Sequence, residues 1–187
     1  SLTGRLGESG LNVKLELDAP KPEPGAPLVT ISTADIEDRL RRLEITLSDL
    51  KVGPELFDKL PPRFAEVREM FAPVGLADAT YEQRRDKGTL RKKCVFRPKG
   101  MTARYRGFPY PTDHILGTVE ATLDDDVPAH YEVDLTGEGN GKKVTLKGHV
   151  IGGADREVDL LLTGANIVLD QTLIDALPDE YPALMRR

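Results

Sequence analysis

The sequence predicts a mainly β protein with a minor α component: a curved antiparallel sheet built of repeated strand units, with short paired helices between them. Three observations lead there. Residues 11–17 (LNVKLEL) and 144–150 (VTLKGHV) alternate apolar and polar side chains in period two, the mark of strands with one wet face. Asn140-Gly141 between two such stretches is a strong hairpin signal, because both residues tolerate positive φ. Residues 56–67 (LFDKLPPRFAEV) return in pattern as residues 173–184 (LIDALPDEYPAL), a step of 117 (173 − 56).

Taken in order, residues 11–17 predict a strand, and the proline-rich APKPEPGAP loop leads to a second over 28–32. Residues 35–42 suit either an exposed helical turn or a loop, and 43–47 (LEITL) alternate again. Gly53-Pro54 opens a short helix, with proline where its missing N–H costs nothing. Pro62 opens a second, striped by Phe64, Val67, Met70 and Phe71 and ended by Pro73, so the helix pair lies near 54–72. Ala77, Ala79 and Tyr81 alternate with polar residues, and a charged turn follows at 84–88. Separate pieces KKCVF, MTARYR and FPYP then precede a strand over 118–123, and the acids at 124–126 make a turn. Residues 131–136 and 143–150 form a hairpin about Asn140-Gly141. Residues 158–163 answer 43–48, and Asp170 caps the helix of the second copy. The expected organisation is the end of one β unit over 1–42, one nearly complete unit over 43–157, and the start of the next over 158–187.

The chain has 187 residues, 39% hydrophobic and 30% charged, with no tryptophan and a net charge of −5. That acidic balance argues against a nucleic-acid binder, which gains from a basic domain, and no nucleic acid is expected as a partner. The one cysteine, Cys94, excludes an intramolecular disulfide and leaves no zinc-type cluster; alternation makes it a small apolar strand residue. No apolar run is long enough to span a bilayer and nothing near Ser1 resembles a signal peptide. The chain is expected to be an internal piece of a longer protein.

No catalytic, metal or cofactor signature is present. GEGNGKK (137–143) lacks Walker spacing and precedes a strand rather than a helix. His114, His130 and His149 fall in different elements without ligand spacing, and the acids at 124–126 lack the alternation of a calcium loop. Ten basic residues between Arg84 and Arg106, interleaved with Phe96 and Tyr105, read first as a solvated face, second as a membrane-facing surface and third as a single-strand nucleic-acid platform.

One pattern goes further. The stretch 103–123 (ARYRGFPYPTDHILGTVEATL) carries Phe108-Pro109-Tyr110-Pro111 and then Gly117-x-Val119. With DLLLTGANIVLDQTLIDALP (159–178), ending in Leu177-Pro178, it resembles the repeating unit of AsmA-like bacterial envelope proteins, which are related to TamB-type proteins. The resemblance covers most of 43–187, with an echo in 11–33. It implies a non-catalytic segment of a groove-like β-sheet in the periplasm, on a parent protein tethered to the inner membrane, with a role in phospholipid movement or outer-membrane homeostasis. Neighbouring repeat units of the same chain and phospholipid acyl chains are the implied partners.

The residues themselves nominate the groove wall. Tyr131, Val133 and Leu135 point one way, and Val144, Leu146 and Val150 pair opposite them on the same side. Leu160 and Leu162 extend that side, joined by Val119, Ala121 and Leu123 from the preceding strand. The competing reading is a structural or adhesive β-module in which the same residues form a closed core with no lipid ligand.

Overall fold

Among the described residues, the alternation becomes nine strands in one open antiparallel sheet. The computed structural model describes residues 2–6, 8–17, 40–60, 64–86, 89–124, 127–152, 157–168 and 170–177. The strands are β1 (Leu2–Leu6), β2 (Ser9–Leu17), β3 (Leu40–Val52), β4 (Gly75–Asp86), β5 (Thr89–Tyr105), β6 (Phe108–Thr122), β7 (His130–Gly139), β8 (Lys142–Ile151) and β9 (Glu157–Gly164). Their spatial order is their chain order. Each antiparallel neighbour therefore follows its predecessor directly, as one-face amphipathic strands favour.

The stretch at 11–17 lies in β2, that at 43–47 widens into β3, and the Asn140-Gly141 turn joins β7 to β8 with φ of 49° and 68°. Those two left-handed residues give the turn a twist that matches the strands it joins. β1 carries no sequence-level expectation. The expected strand over 28–32 and residues 178–187 lie outside the described residues.

Two expectations need correction. KKCVF and MTARY belong to one 17-residue strand, β5, with Arg106 in the turn that follows, and FPYP runs without a break into the 15-residue β6. The β5–β6 register shifts in three places, and Gly100 and His114, at φ 76° and 52°, lie at such shifts. A bulge inserts a residue without ending the strand, so alternation breaks while pairing continues. Pro98 sits beside one of these shifts, where a missing N–H is tolerated.

Among the described residues, three short helices accompany the sheet: α1 (Pro54–Phe57), α2 (Ala65–Phe71) and α3 (Gln171–Ala176). The expected stripe of α2 does not form a core, since Val67 and Phe71 remain 41% and 37% exposed. Phe71 instead stacks on Tyr105 at 5.4 Å, and the Arg106 amide donates to the Met70 carbonyl at 2.7 Å. A seven-residue helix seated at the β5–β6 turn, with Arg68 paired to Asp58 at 2.7 Å, leaves its outer residues wet.

The 117-residue step recurs in the structure. Leu43 and Ile45 of β3 and Leu160 and Leu162 of β9 are separated by it (160 − 43), as are Pro54 of α1 and Gln171 of α3 (171 − 54). Leu56 and Leu173 thus both lie in the helix that follows the strand.

Val52, Ala77, Met101 and Ile115 form the buried cluster, with Leu56 and Phe57 of α1 packed against it. That cluster lies at the end of the sheet where the helices sit. Ala176 of α3 is also buried, and the Asp170 carboxylate caps α3 by accepting from the Leu173 amide at 2.9 Å. Asp170 also accepts from the Asn140 amide group at 2.6 Å, which ties α3 to the β7–β8 turn.

Candidate functional site: the apolar face of the sheet

Cross-strand partners in an antiparallel ladder point to the same side, so the register assigns each side chain to a face. One row runs Val13, Ile45, Tyr81, Cys94, Ala121, Tyr131, Val150, Val158 from β2 to β9. The row beside it runs Leu11, Leu47, Ala79, Phe96, Val119, Val133, Gly148, Leu160. Neither row contains a charge, and both lie on the side that carries Ala77 and Met101.

Ten of the eleven nominated residues lie in strands and follow this alternation. Val119 and Ala121 pair with Val133 and Tyr131; Leu135 pairs with Leu146, and Leu146 with Leu162. Val144 pairs with Gly137 and Gly164 in the next row. Leu123 lies just past β6, its amide donating to the Lys92 carbonyl at 2.8 Å.

Away from the helices these rows are half-buried rather than buried. Among the described residues, Ala121 at 8% exposure is the one buried member of the two rows, while Val158 and Leu160 are 56% and 37% exposed. Neighbouring side chains shield one another across strands, and no second layer of described residues lies over them. The Cys94 thiol is pushed above its usual pKa by burial among these apolar neighbours. A thiol held neutral in such a place is a poor nucleophile.

The other face is charged and mixed in sign. Lys14 meets Glu44 at 2.9 Å, Arg42 meets Glu82 at 3.0 Å, and Lys147 meets Asp134 at 2.9 Å. Lys14, by hydrogen bonding and then by its charge, holds the Glu44 carboxyl below its ordinary pKa, although burial works the other way. The basic stretch divides between the faces: Arg84 and Arg91 stand opposite one another on the charged side, and Gln83 and Lys92 on the apolar side. A shallow, open depression of about 350 Å³ on the charged face is lined by Thr118, Glu132, Asp134 and Lys147.

Sequence spacing missed one association. His130 and His149 stack at 5.7 Å between ring centroids on the charged face, and His130 lies 2.7 Å from Glu132. The signal was available in the hairpin register, which sets Glu132 opposite His149. Among the described residues no group of three or more His, Cys, Asp or Glu side chains is placed to hold a metal ion.

Chemically, this arrangement offers a broad uncharged surface backed by a solvated one. It suits ligands that need burial and few polar contacts. In comparisons with known protein families, curated proteins and solved structures, the chain matches none.

Proposed function

We propose that this chain is a non-catalytic segment of a cell-envelope protein whose apolar sheet face forms part of a lipid-conducting groove. The observation that carries the reading is the pair of unbroken uncharged rows across β2–β9, half-buried where no helix lies over them. Acyl chains are ligands of matching chemistry: each methylene removed from water against such a surface contributes about 0.8 kcal/mol. The opposite face, laced with ion pairs, stays in water. The periplasmic setting and the inner-membrane tether of the parent rest on the AsmA-like resemblance of 103–123 and 159–178.

The test is a pair of single-site photo-crosslinkers. One stands at position 146 on the apolar face and the other at 147, its neighbour on the charged face. With a radiolabelled phospholipid, position 146 is expected to crosslink roughly tenfold more than 147, because successive strand residues face opposite sides. Equal yields at the two positions, or none at 146, reject the groove. The structural β-module, in which other polypeptide covers this face, would then stand.

A further inference from the structure

β9 carries a second message. It pairs with β8 along one edge, and among the described residues nothing pairs with its other edge. All eight of its residues are exposed. Leu160 and Leu162 belong to the apolar face, but Leu161, opposite Lys147 on the charged face, is 64% exposed. A leucine run that reaches onto the polar side makes the open edge of β9 more hydrophobic than a solvated edge needs, and such an edge is a template for another strand.

The internal repeat says what kind of strand. β3 stands one step of 117 before β9 (160 − 43), and Leu43 and Ile45 hold the apolar-face positions that Leu160 and Leu162 hold in β9. At β3 the corresponding edge is taken by β4, antiparallel, with Ile45 opposite Tyr81 and Arg42 opposite Arg84. The same step carries Arg42 onto Asp159.

We propose that the outer edge of β9 is a strand-acceptor site, filled by an antiparallel polypeptide segment of β4 pattern. That segment alternates apolar and polar residues and is basic toward its C-terminal end. The charges favour this partner more at β9 than at β3. The arginine that faces Arg42 in the β3–β4 pair would face the Asp159 carboxylate at β9, with Glu157 two residues away on the same side. Backbone hydrogen bonds supply affinity in such strand addition, and the cross-strand pairs set register. The site is independent of what the apolar face binds.

The experiment uses the whole chain and a fluorescent 12-residue peptide copying β4, GLADATYEQRRD. Anisotropy should show saturable binding, absent with a scrambled peptide, and hydrogen exchange should show new protection of the β9 amides with β1 unchanged. Asp159→Lys should weaken binding about tenfold. A peptide with glutamate at the position copied from Arg84 should restore it, an outcome that general loss of folding would not produce. No saturation up to about 1 mM peptide, protection at β1 instead of β9, or equal binding of the scrambled peptide overturns the proposal. So does protection of β9 that appears with rising chain concentration alone, which would give the edge to a second copy.

Discussion

Gly117 and Gly141 both adopt positive φ, 122° and 68°, yet for different reasons. Gly141 occupies an open turn, and an added Cβ would meet nothing within 4 Å. Gly117 lies inside β6, where an added Cβ would overlap the Asp134 carbonyl oxygen of β7. Gly141→Ala should therefore cost only backbone strain, about 1 kcal/mol, while Gly117→Ala adds a clash with a paired strand and should cost about 3 kcal/mol. Urea titration of the two variants checks the order. Equal losses would mean that the β6–β7 pair yields freely at Gly117.

The β3 bulge shows how one element holds its shape. Asp49, at φ 56°, interrupts the β3–β4 register. Its amide donates to the Asp78 carboxylate at 2.9 Å, and Lys99 reaches both carboxylates, Asp49 at 2.6 Å and Asp78 at 3.3 Å. The Asp49 amide hydrogen bond first, and then Lys99, hold the Asp78 carboxyl below its ordinary pKa against an opposing effect of burial. A depressed folded pKa contributes stability that is fully present above the unfolded value, near ~4 for aspartate, and is lost as pH falls through the folded value. Acid titration of stability should therefore show a steeper decline below about pH 4 in the parent chain than in Asp78→Asn. Coincident acid limbs would show that the carboxylate does not hold the bulge.

At the scale of the whole molecule, the described residues give the sheet a covered end and, on the same face, an expanse over which none of them lies. Met101, 2% exposed beneath the helix end, and Leu146, half-buried in the expanse, sit on the same face in these two environments. Met101→Glu buries a carboxylate without a partner and should cost several kcal/mol, on the order of 3–5. Leu146→Glu leaves its carboxylate within reach of water and should cost about 1 kcal/mol. Thermal denaturation of both variants distinguishes the cases. Unfolding of Leu146→Glu would mean that the expanse is a closed core in solution.

The class of fold was legible because period-two alternation is a local property, and so was the hairpin, since Asn140-Gly141 carries its own backbone preference. The starts of α1 and α3 were legible too: Pro54 and Asp170 act within one helical turn. The placing of ten of the eleven nominated residues on one side followed from alternation and a single hairpin register; Leu123 lies past the end of β6. The lengths of β5 and β6 were not legible, because a bulge at Gly100 or His114 disrupts alternation while the neighbouring strand sustains the ladder. Neither was the stacking of His130 on His149, which needs residues 19 positions apart (149 − 130) brought together by pairing. Above all, alternation says that a strand has a dry side and is silent on what lies over it. Among the described residues, covering Val52 and Met101 with α1 while leaving Val133 and Leu160 without a second layer is a matter of where the short helices fall on the sheet. That placement depends on contacts between distant segments, so the tertiary structure alone decides it.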